Sequence, residues 1–128
     1  MIIVYSCSDL FKPYLEISKS SVLKHNPDAK IIVFDKPPQK QINVKGLDCE
    51  YGWCAKVKLL LPELLDYDKV IYLGADTICQ GSLKEMWEAP CDYINACKTH
   101  NYGKIQAKEL GLNHYINVDS LVMNLKAL

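Results

Sequence analysis

Short apolar runs alternate with amphipathic segments over the first 35 residues of the chain. Residues 2–5 are continuously apolar and include β-branched residues, a pattern typical of a buried β-strand. Apolar positions recur at helical spacing over residues 10–24, and Pro13 falls in the first turn, where proline is tolerated. Residues 30–35 predict a second buried strand. This strand–helix–strand order is typical of a parallel βαβ unit.

The alternation continues to the end of the chain. Residues 39–50 are polar and irregular, with a short strand predicted near 42–44. The later pattern predicts helices over 53–65, 83–88 and around 105–110, and strands over 69–73, 93–97 and 120–125. Pro62 is expected to kink or end the first of these helices. The fold class is therefore α/β, with a mostly parallel sheet flanked by helices.

Length and composition restrict the possible classes of protein. The chain has 128 residues, enough for one domain, and its 49% hydrophobic content excludes a disordered chain. Fifteen lysines balance 15 acidic residues and there is no arginine, which argues against a nucleic-acid-binding module. No apolar run approaches the roughly 20 residues that span a bilayer, so no transmembrane segment is expected.

The six cysteines are interpreted as free thiols. They are Cys7, Cys49, Cys54, Cys79, Cys91 and Cys97, and most have apolar neighbours. Without a recognisable signal peptide, this usage favours a reducing compartment and predicts a cytoplasmic protein. A zinc site drawn from Cys91, Cys97, His100 and His114 is an alternative, but its spacing matches no usual zinc pattern.

Two polar clusters follow predicted strands. Residues 6–9 come after the first strand and residues 74–77 after the third. Ligands of parallel α/β sheets bind beyond the carboxyl ends of the strands, so both clusters are candidate site segments. The chain contains neither a Walker loop nor a Gly-x-Gly-x-x-Gly motif, which gives little support to a P-loop or dinucleotide-binding enzyme.

Four segments resemble one enzyme family. Residues 51–77 contain Leu-Pro-Glu-Leu-Leu, a short link and Lys-Val-Ile-Tyr-Leu-Gly-Ala-Asp-Thr, similar to the helix and Asp-x-Asp strand of glycosyltransferase family 8. Residues 2–25, 81–87 and 117–126 resemble that family's opening strand and helix, its Gly-Asp-Leu-x-Glu-Leu-Trp segment and its Asn-x-Gly-Val-x-Leu-x-Asn-Leu-Lys segment. The family includes glycogenin and lipooligosaccharide galactosyltransferases.

The resemblance implies a fold and an activity. Family 8 enzymes have the GT-A fold, so residues 1–128 are expected to form its nucleotide-sugar-binding half without the family's C-terminal portion. The implied donor is a UDP-sugar, and the implied cation is Mn²⁺ or Mg²⁺, weakly held without nucleotide. The hexose would pass with retention of configuration to a carbohydrate or glycolipid acceptor.

The resemblance also implies site residues. Those matching donor-binding positions are Ser6, Ser8, Asp9, Phe11, Lys56, Ala75, Asp76 and Asn117. Asp76 matches the second carboxylate of the Asp-x-Asp pair and is the expected metal ligand. Six of these positions also have a purely structural interpretation: a turn aspartate for Asp76, helix capping for Ser6 and Asp9, a core aromatic for Phe11, a solvated helix face for Lys56 and a turn for Asn117.

Two departures from the family pattern leave the activity open. Gly74 stands in place of the first Asp of the pair, and Asp119 replaces the glycine that follows Asn117. Asn117 and Asp119 are the candidate catalytic residues, Asp119 as a carboxylate supplied to the site. The alternatives are a catalytically inactive nucleotide- or sugar-binding module and a structural assembly domain. An exposed sheet edge would favour a homo-oligomer.

Overall fold

A computed structural model describes residues 1–38, 52–99, 101–113 and 115–128 of the chain. Its strands are β1 (Ile2–Ser6), β2 (Lys30–Phe34), β3 (Lys69–Leu73), β4 (Ile94–Lys98) and β5 (Ile116–Asn124). Its helices are α1 (Lys12–His25), α2 (Gly52–Lys56), α3 (Leu61–Leu64), α4 (Lys84–Glu88) and α5 (Asn101–Glu109). Two 3₁₀ turns, Asp9–Phe11 and Val57–Leu60, precede α1 and α3.

The strands form one sheet in the order β2-β1-β3-β5-β4. β1 is parallel to both of its neighbours, whereas β5 is antiparallel to both β3 and β4. Four of the five strands therefore run in the same direction, in agreement with the predicted class. The reversed strand β5 brings its first residues to the carboxyl end of β3, where Leu73 pairs with Ser120.

Alternating residues of the central strands build two hydrophobic layers, one on each face of the sheet. Ile3 and Tyr5 of β1 face α1, while Val4 faces the other way. The α1 layer comprises Ile3, Tyr5, Cys7, Leu15, Val22, Ile71, Leu73, Ala75 and Val122. The opposite layer, packed by the segment from α2 to α3, comprises Val4, Val57, Leu61, Val70, Tyr72, Leu121, Met123 and Leu125.

The region predicted as one helix over residues 53–65 is divided. α2 ends at Lys56, the 3₁₀ turn follows, and Pro62 lies in the first turn of α3. The helical path is therefore interrupted before Pro62, over Val57–Leu60, and Pro62 begins a helix instead of ending one, as its missing N–H allows at that position. β5 begins four residues before the predicted strand of residues 120–125, at Ile116. The irregular segment predicted at 39–50 lies outside the described residues.

Polar side chains of α1 and of Asn26, the residue that follows it, hold the segment between β3 and α4. Ser18 Oγ lies 3.3 Å from Thr77 Oγ1, and Ser21 Oγ accepts a 2.9 Å hydrogen bond from the backbone N–H of Cys79. The side-chain oxygen of Asn26 accepts a 2.8 Å bond from the Leu83 N–H. In the part of the chain that the structure describes, no helix has the length and apolar character to span a membrane.

Candidate functional site

A cleft of about 460 Å³ opens where β1 and β3 end and β5 begins. The parallel strands deliver their carboxyl ends to it, as expected for a ligand site in an α/β sheet. Six of the residues proposed from the sequence line the cleft together: Ser6, Ser8, Phe11, Ala75, Asp76 and Asp119. The two polar clusters after β1 and β3 therefore meet in one place.

Tyr72 and Ser6 form the buried floor of this cleft. Tyr72 Oη lies 2.6 Å from Ser6 Oγ, and the Ser6 hydroxyl also bonds the backbone carbonyl of Cys54 at 2.6 Å. Burial raises the pKa of Tyr72, because desolvation disfavours the phenolate, and the negative charge of Asp119 raises it further. Tyr72 is therefore a neutral phenol at neutral pH, and Ser6 is held in one orientation by two partners.

Among the residues that the structure describes, Lys58 is the lysine that lines the cleft. Its Nζ donates a 3.1 Å hydrogen bond to the carbonyl of Val118 and lies 4.8 Å from the centroid of the Tyr72 ring. Lys56, which the resemblance favoured, is half-buried at the end of α2 and is not among the residues that line the cleft. The 3₁₀ turn after Lys56 accounts for this difference, since it changes which side chains of the segment face the sheet.

Asp9 and Asn117 lie beside the cleft wall and are not part of it. Asp9 forms a 2.7 Å salt bridge with Lys12 at the surface, and this partner lowers the pKa of the Asp9 carboxyl. Asn117 Oδ1 accepts a 2.6 Å bond from the backbone N–H of Asp119, which fixes the backbone two residues further on. Asn117 thus positions the strand that carries Asp119.

Phe11 is an accessible aromatic at the cleft. It is 42% exposed and its ring centroid is 6.0 Å from that of Tyr14. An exposed ring that lines a cleft can stack on a planar base, whereas a core residue would be buried. The structure therefore disfavours the core interpretation of Phe11.

Asp76 and Asp119 present exposed carboxylates to the cleft on either side of Gly74. Oxygen donors of this kind suit Mg²⁺ or Mn²⁺, so these two side chains fit the cation that the resemblance implies. In the described residues there is no group of three or more His, Cys, Asp or Glu side chains that could hold a metal. The remaining ligands would therefore be water and the phosphates of a bound nucleotide.

The zinc alternative lies only partly within the described residues, because His100 and His114 are outside them. Cys91 Sγ interacts with the carbonyl of Val122 at 3.6 Å, and Cys97 is exposed. The five cysteines that the structure describes are free thiols, and Cys49 is not among them.

The cleft also contains Lys58, Tyr72 and Cys54, which were not predicted from the sequence. Lys58 follows the family-matched Lys56 by two positions, and Tyr72 is the one residue with a polar group in the apolar run of residues 70–73. That hydroxyl was the available signal, since a tyrosine in a buried strand needs a hydrogen-bond partner.

The model of glycosyl transferase family 8 matches residues 55–127, more than half of the chain. The chain belongs to this family. Among curated protein sequences, none matches this family 8 chain.

Solved structures show the GT-A fold. Galactosyltransferase LgtC, in complex with donor and acceptor sugar analogues, superposes with a TM-score of 0.80 at 22% identity over 99% of this chain and 59% of LgtC. The bifunctional glycosyltransferase WbbM gives 0.75 at 16% identity over 99% of this chain and 32% of its own. GlyE of Streptococcus pneumoniae gives 0.68 at 16% identity, with 98% and 34% covered. This family 8 chain thus spans about three fifths of the length of LgtC.

Proposed function

We propose that this chain is the donor-binding domain of a family 8 glycosyltransferase. In this proposal it binds a UDP-sugar with Mn²⁺ or Mg²⁺ and supports transfer of the hexose to a carbohydrate or glycolipid acceptor with retention. The observation that carries the proposal is the 460 Å³ cleft, which gathers residues from β1, β3 and β5. Residues 1–128 are proposed to act as one domain, because the described strands share a single sheet.

The nucleoside would lie against the end of β1. The exposed ring of Phe11 offers a stacking surface for the uracil base, while Ser6 and Ser8 offer polar atoms from the adjoining turn. Tyr72 and the Cys54 carbonyl hold the Ser6 hydroxyl in place. Because these groups are already ordered, little side-chain freedom would be lost on binding.

The diphosphate would lie near Lys58, Asp76 and the backbone around Ala75. Lys58 places an ammonium group at the cleft wall, which favours an anionic ligand as a point charge. The bound cation would be held by Asp76 and would stabilise the charge that the diphosphate gains as the glycosidic bond breaks. Asn117 acts by positioning the backbone of its own strand, β5, since its side-chain oxygen accepts a hydrogen bond from the Asp119 N–H.

The first test is nucleotide binding by thermal denaturation. We expect UDP with Mn²⁺ to raise the melting temperature, because a ligand of the native state at 100 times its Kd adds about 2.7 kcal/mol. ADP is the control for base identity, and a Lys58→Gln variant is compared with Lys24→Gln, an exposed lysine of α1. The proposal fails if millimolar UDP leaves the melting temperature unchanged with and without Mn²⁺.

A catalytically inactive binding module is the second candidate, and the glycine at position 74 favours it. The Asp-x-Asp motif that residues 74–76 resemble begins with a carboxylate, and this chain has glycine there. Incubation with UDP-galactose and UDP-glucose distinguishes the two, with UDP release measured against a protein-free control. Release above the control supports the enzyme, and the anomeric configuration of the product then tests retention.

The remaining predictions have separate tests. Six thiols labelled under denaturing, non-reducing conditions would agree with a reducing compartment, and fewer would contradict it. Light scattering of the full chain tests homo-oligomer formation.

A further inference from the structure

Gly74, the residue that follows β3, lies directly opposite Asp119 of the neighbouring strand β5. The pairing of β3 with β5 ends at Leu73 and Ser120, and the next step is a 2.8 Å hydrogen bond from the Gly74 N–H to the Asp119 carbonyl. Opposed residues of an antiparallel pair project their side chains from the same face of the sheet. A side chain at position 74 would therefore occupy the same region as that of Asp119.

The space around Gly74 shows how close the two neighbouring carboxyl groups come. A Cβ atom at position 74 would lie 3.2 Å from Asp119 Cβ, 3.6 Å from Asp119 Cγ and 3.2 Å from Asp76 Oδ1. The carboxyl groups of Asp76 and Asp119 thus both lie close to this point. The contact with Asp119 Cβ is tighter than ordinary van der Waals contact, so an aspartate at position 74 would crowd Asp119. Glycine at 74 and aspartate at 119 fit each other sterically.

We infer that Asp119 supplies from β5 the carboxylate that Gly74 lacks on β3, so that Asp76 and Asp119 are the protein's two ligands for the divalent cation. This inference rests on the proposed function, which provides the cation and the diphosphate. The site retains two carboxylates, although they come from two strands rather than from one Asp-x-Asp motif. The site therefore offers a cation two carboxylates, the same number as an Asp-x-Asp motif, although position 74 is glycine.

The surroundings of the two carboxylates agree with this role. Both side chains are exposed and line the cleft. Among the described residues, no hydrogen bond or salt bridge occupies either carboxylate, and the bond from Asn117 holds the backbone of Asp119 rather than its side chain. Asn117 therefore fixes the strand position while leaving the Asp119 carboxylate available.

The test measures Mn²⁺ binding itself. The full chain, saturated with UDP, is titrated with Mn²⁺ and the unbound ion is followed by electron paramagnetic resonance. UDP binding without metal is measured separately by calorimetry. Asp119→Asn should weaken Mn²⁺ binding roughly tenfold or more, because divalent affinity depends on the number of charged ligands. Asp66→Asn, an exposed aspartate before the opposite end of β3, is the matched control and should bind Mn²⁺ like the parent.

A reciprocal exchange gives the decisive comparison. The double variant Gly74→Asp/Asp119→Gly should recover most of the Mn²⁺ affinity that Asp119→Gly alone loses, since the carboxylate returns from the other strand and the close contact with Asp119 Cβ is absent. Unchanged Mn²⁺ affinity in Asp119→Asn would overturn the inference. If the double variant does not fold, the near-isosteric Asp119→Asn result decides alone.

Failure of the inference is distinguishable from failure of the proposed function. A parent chain that binds UDP but does not bind Mn²⁺ would overturn the two-carboxylate site while leaving nucleotide binding in place. A parent chain that binds neither would overturn both. A parent that binds both, together with an Asp119→Asn variant that binds both equally well, would overturn only the role of Asp119.

Discussion

Tyr5 of β1 and Tyr72 of β3 are two buried tyrosines on neighbouring parallel strands that face opposite sides of the sheet. Tyr72 pairs with Val4, so Tyr5 lies one residue further along and points to the α1 layer. Tyr5 Oη is 3.0 Å from Ser18 Oγ on α1, and Tyr72 Oη is 2.6 Å from Ser6 Oγ. Both phenols have a raised pKa, with burial as the largest cause.

Each tyrosine shares a hydrogen bond with a serine, but the surroundings of the two bonds differ. On the α1 face the bond between Tyr5 and Ser18 joins a strand to a helix within the core. On the other face Tyr72 lines the cleft, with Lys58 above its ring and the Asp119 charge nearby. Burial alone therefore does not separate structural from functional residues in this sheet. We expect substitutions in the α1 layer to affect stability, and substitutions around Tyr72 to affect ligand binding as well.

The largest expected effect comes from the α1 layer. Leu15→Ala removes a buried side chain and should destabilise the protein by about 2–5 kcal/mol, through lost burial and the cavity that remains. Urea unfolding measures this, and Ile17→Ala, an exposed position of the same helix, is the control. UDP affinity of the folded Leu15→Ala protein should equal that of the parent. Weakened UDP binding would contradict the expectation that substitutions in the α1 layer affect stability alone.

Phe11→Ala should have the next largest effect, on binding. Loss of a stacking ring weakens nucleotide affinity by about 1–3 kcal/mol, whereas stability should change little because Phe11 is 42% exposed. Calorimetric titration with UDP measures the affinity, and Tyr93→Ala, an exposed aromatic just before β4, is the control. Equal UDP affinities in both variants would contradict the stacking role.

The two tyrosine-to-phenylalanine variants test the comparison directly. Each should cost about 1 kcal/mol of stability, because each removes a buried hydrogen bond. Tyr72→Phe should in addition weaken UDP binding, since Ser6 loses one of its two partners, whereas Tyr5→Phe should not. The same UDP affinity in both variants would show that Tyr72 belongs to the core alone.

The last effect appears only at alkaline pH. Below about pH 9 both phenols are almost fully protonated in the folded and unfolded chains, so they add almost no pH dependence there. Above about pH 10 the unfolded chain loses protons that the folded chain keeps, and stability falls by up to about 1.4 kcal/mol per pH unit for each tyrosine. Tyr72→Phe should therefore lose stability less steeply than the parent in urea titrations between pH 10 and 11. Parallel profiles would contradict the raised pKa of Tyr72.

Much of the fold could be predicted from local patterns. Continuous apolar runs identified β1, β2 and β3, because strands covered on both faces need no polar alternation. The start of β5 was missed, since residues 116–119 are exposed and carry no burial signal. The division of α2 from α3 depends on how Val57 and Leu61 pack on the sheet, which periodicity does not encode.

The site was predictable where chain direction alone brings residues together. Ser6 ends β1 and Asp76 comes soon after β3. Because these two strands are parallel, their carboxyl ends lie at the same edge of the sheet, and the meeting of both residues in one cleft could be expected. The nearness of Asp119 to Gly74 depends on the register between β3 and the antiparallel β5, which the sequence does not specify. The choice of Lys58 over Lys56 likewise depends on the 3₁₀ turn between them.

The contacts of α1 with the segment after β3 have an evolutionary consequence. Ser18, Ser21 and Asn26 each hold a different point of that segment, at Thr77, Cys79 and Leu83. A single-residue insertion or deletion within 77–83 would shift these three points away from their hydrogen-bond partners and disturb the loop that carries Asp76. Length variation among natural homologues should therefore be rare in this stretch, even though most of it has no regular secondary structure.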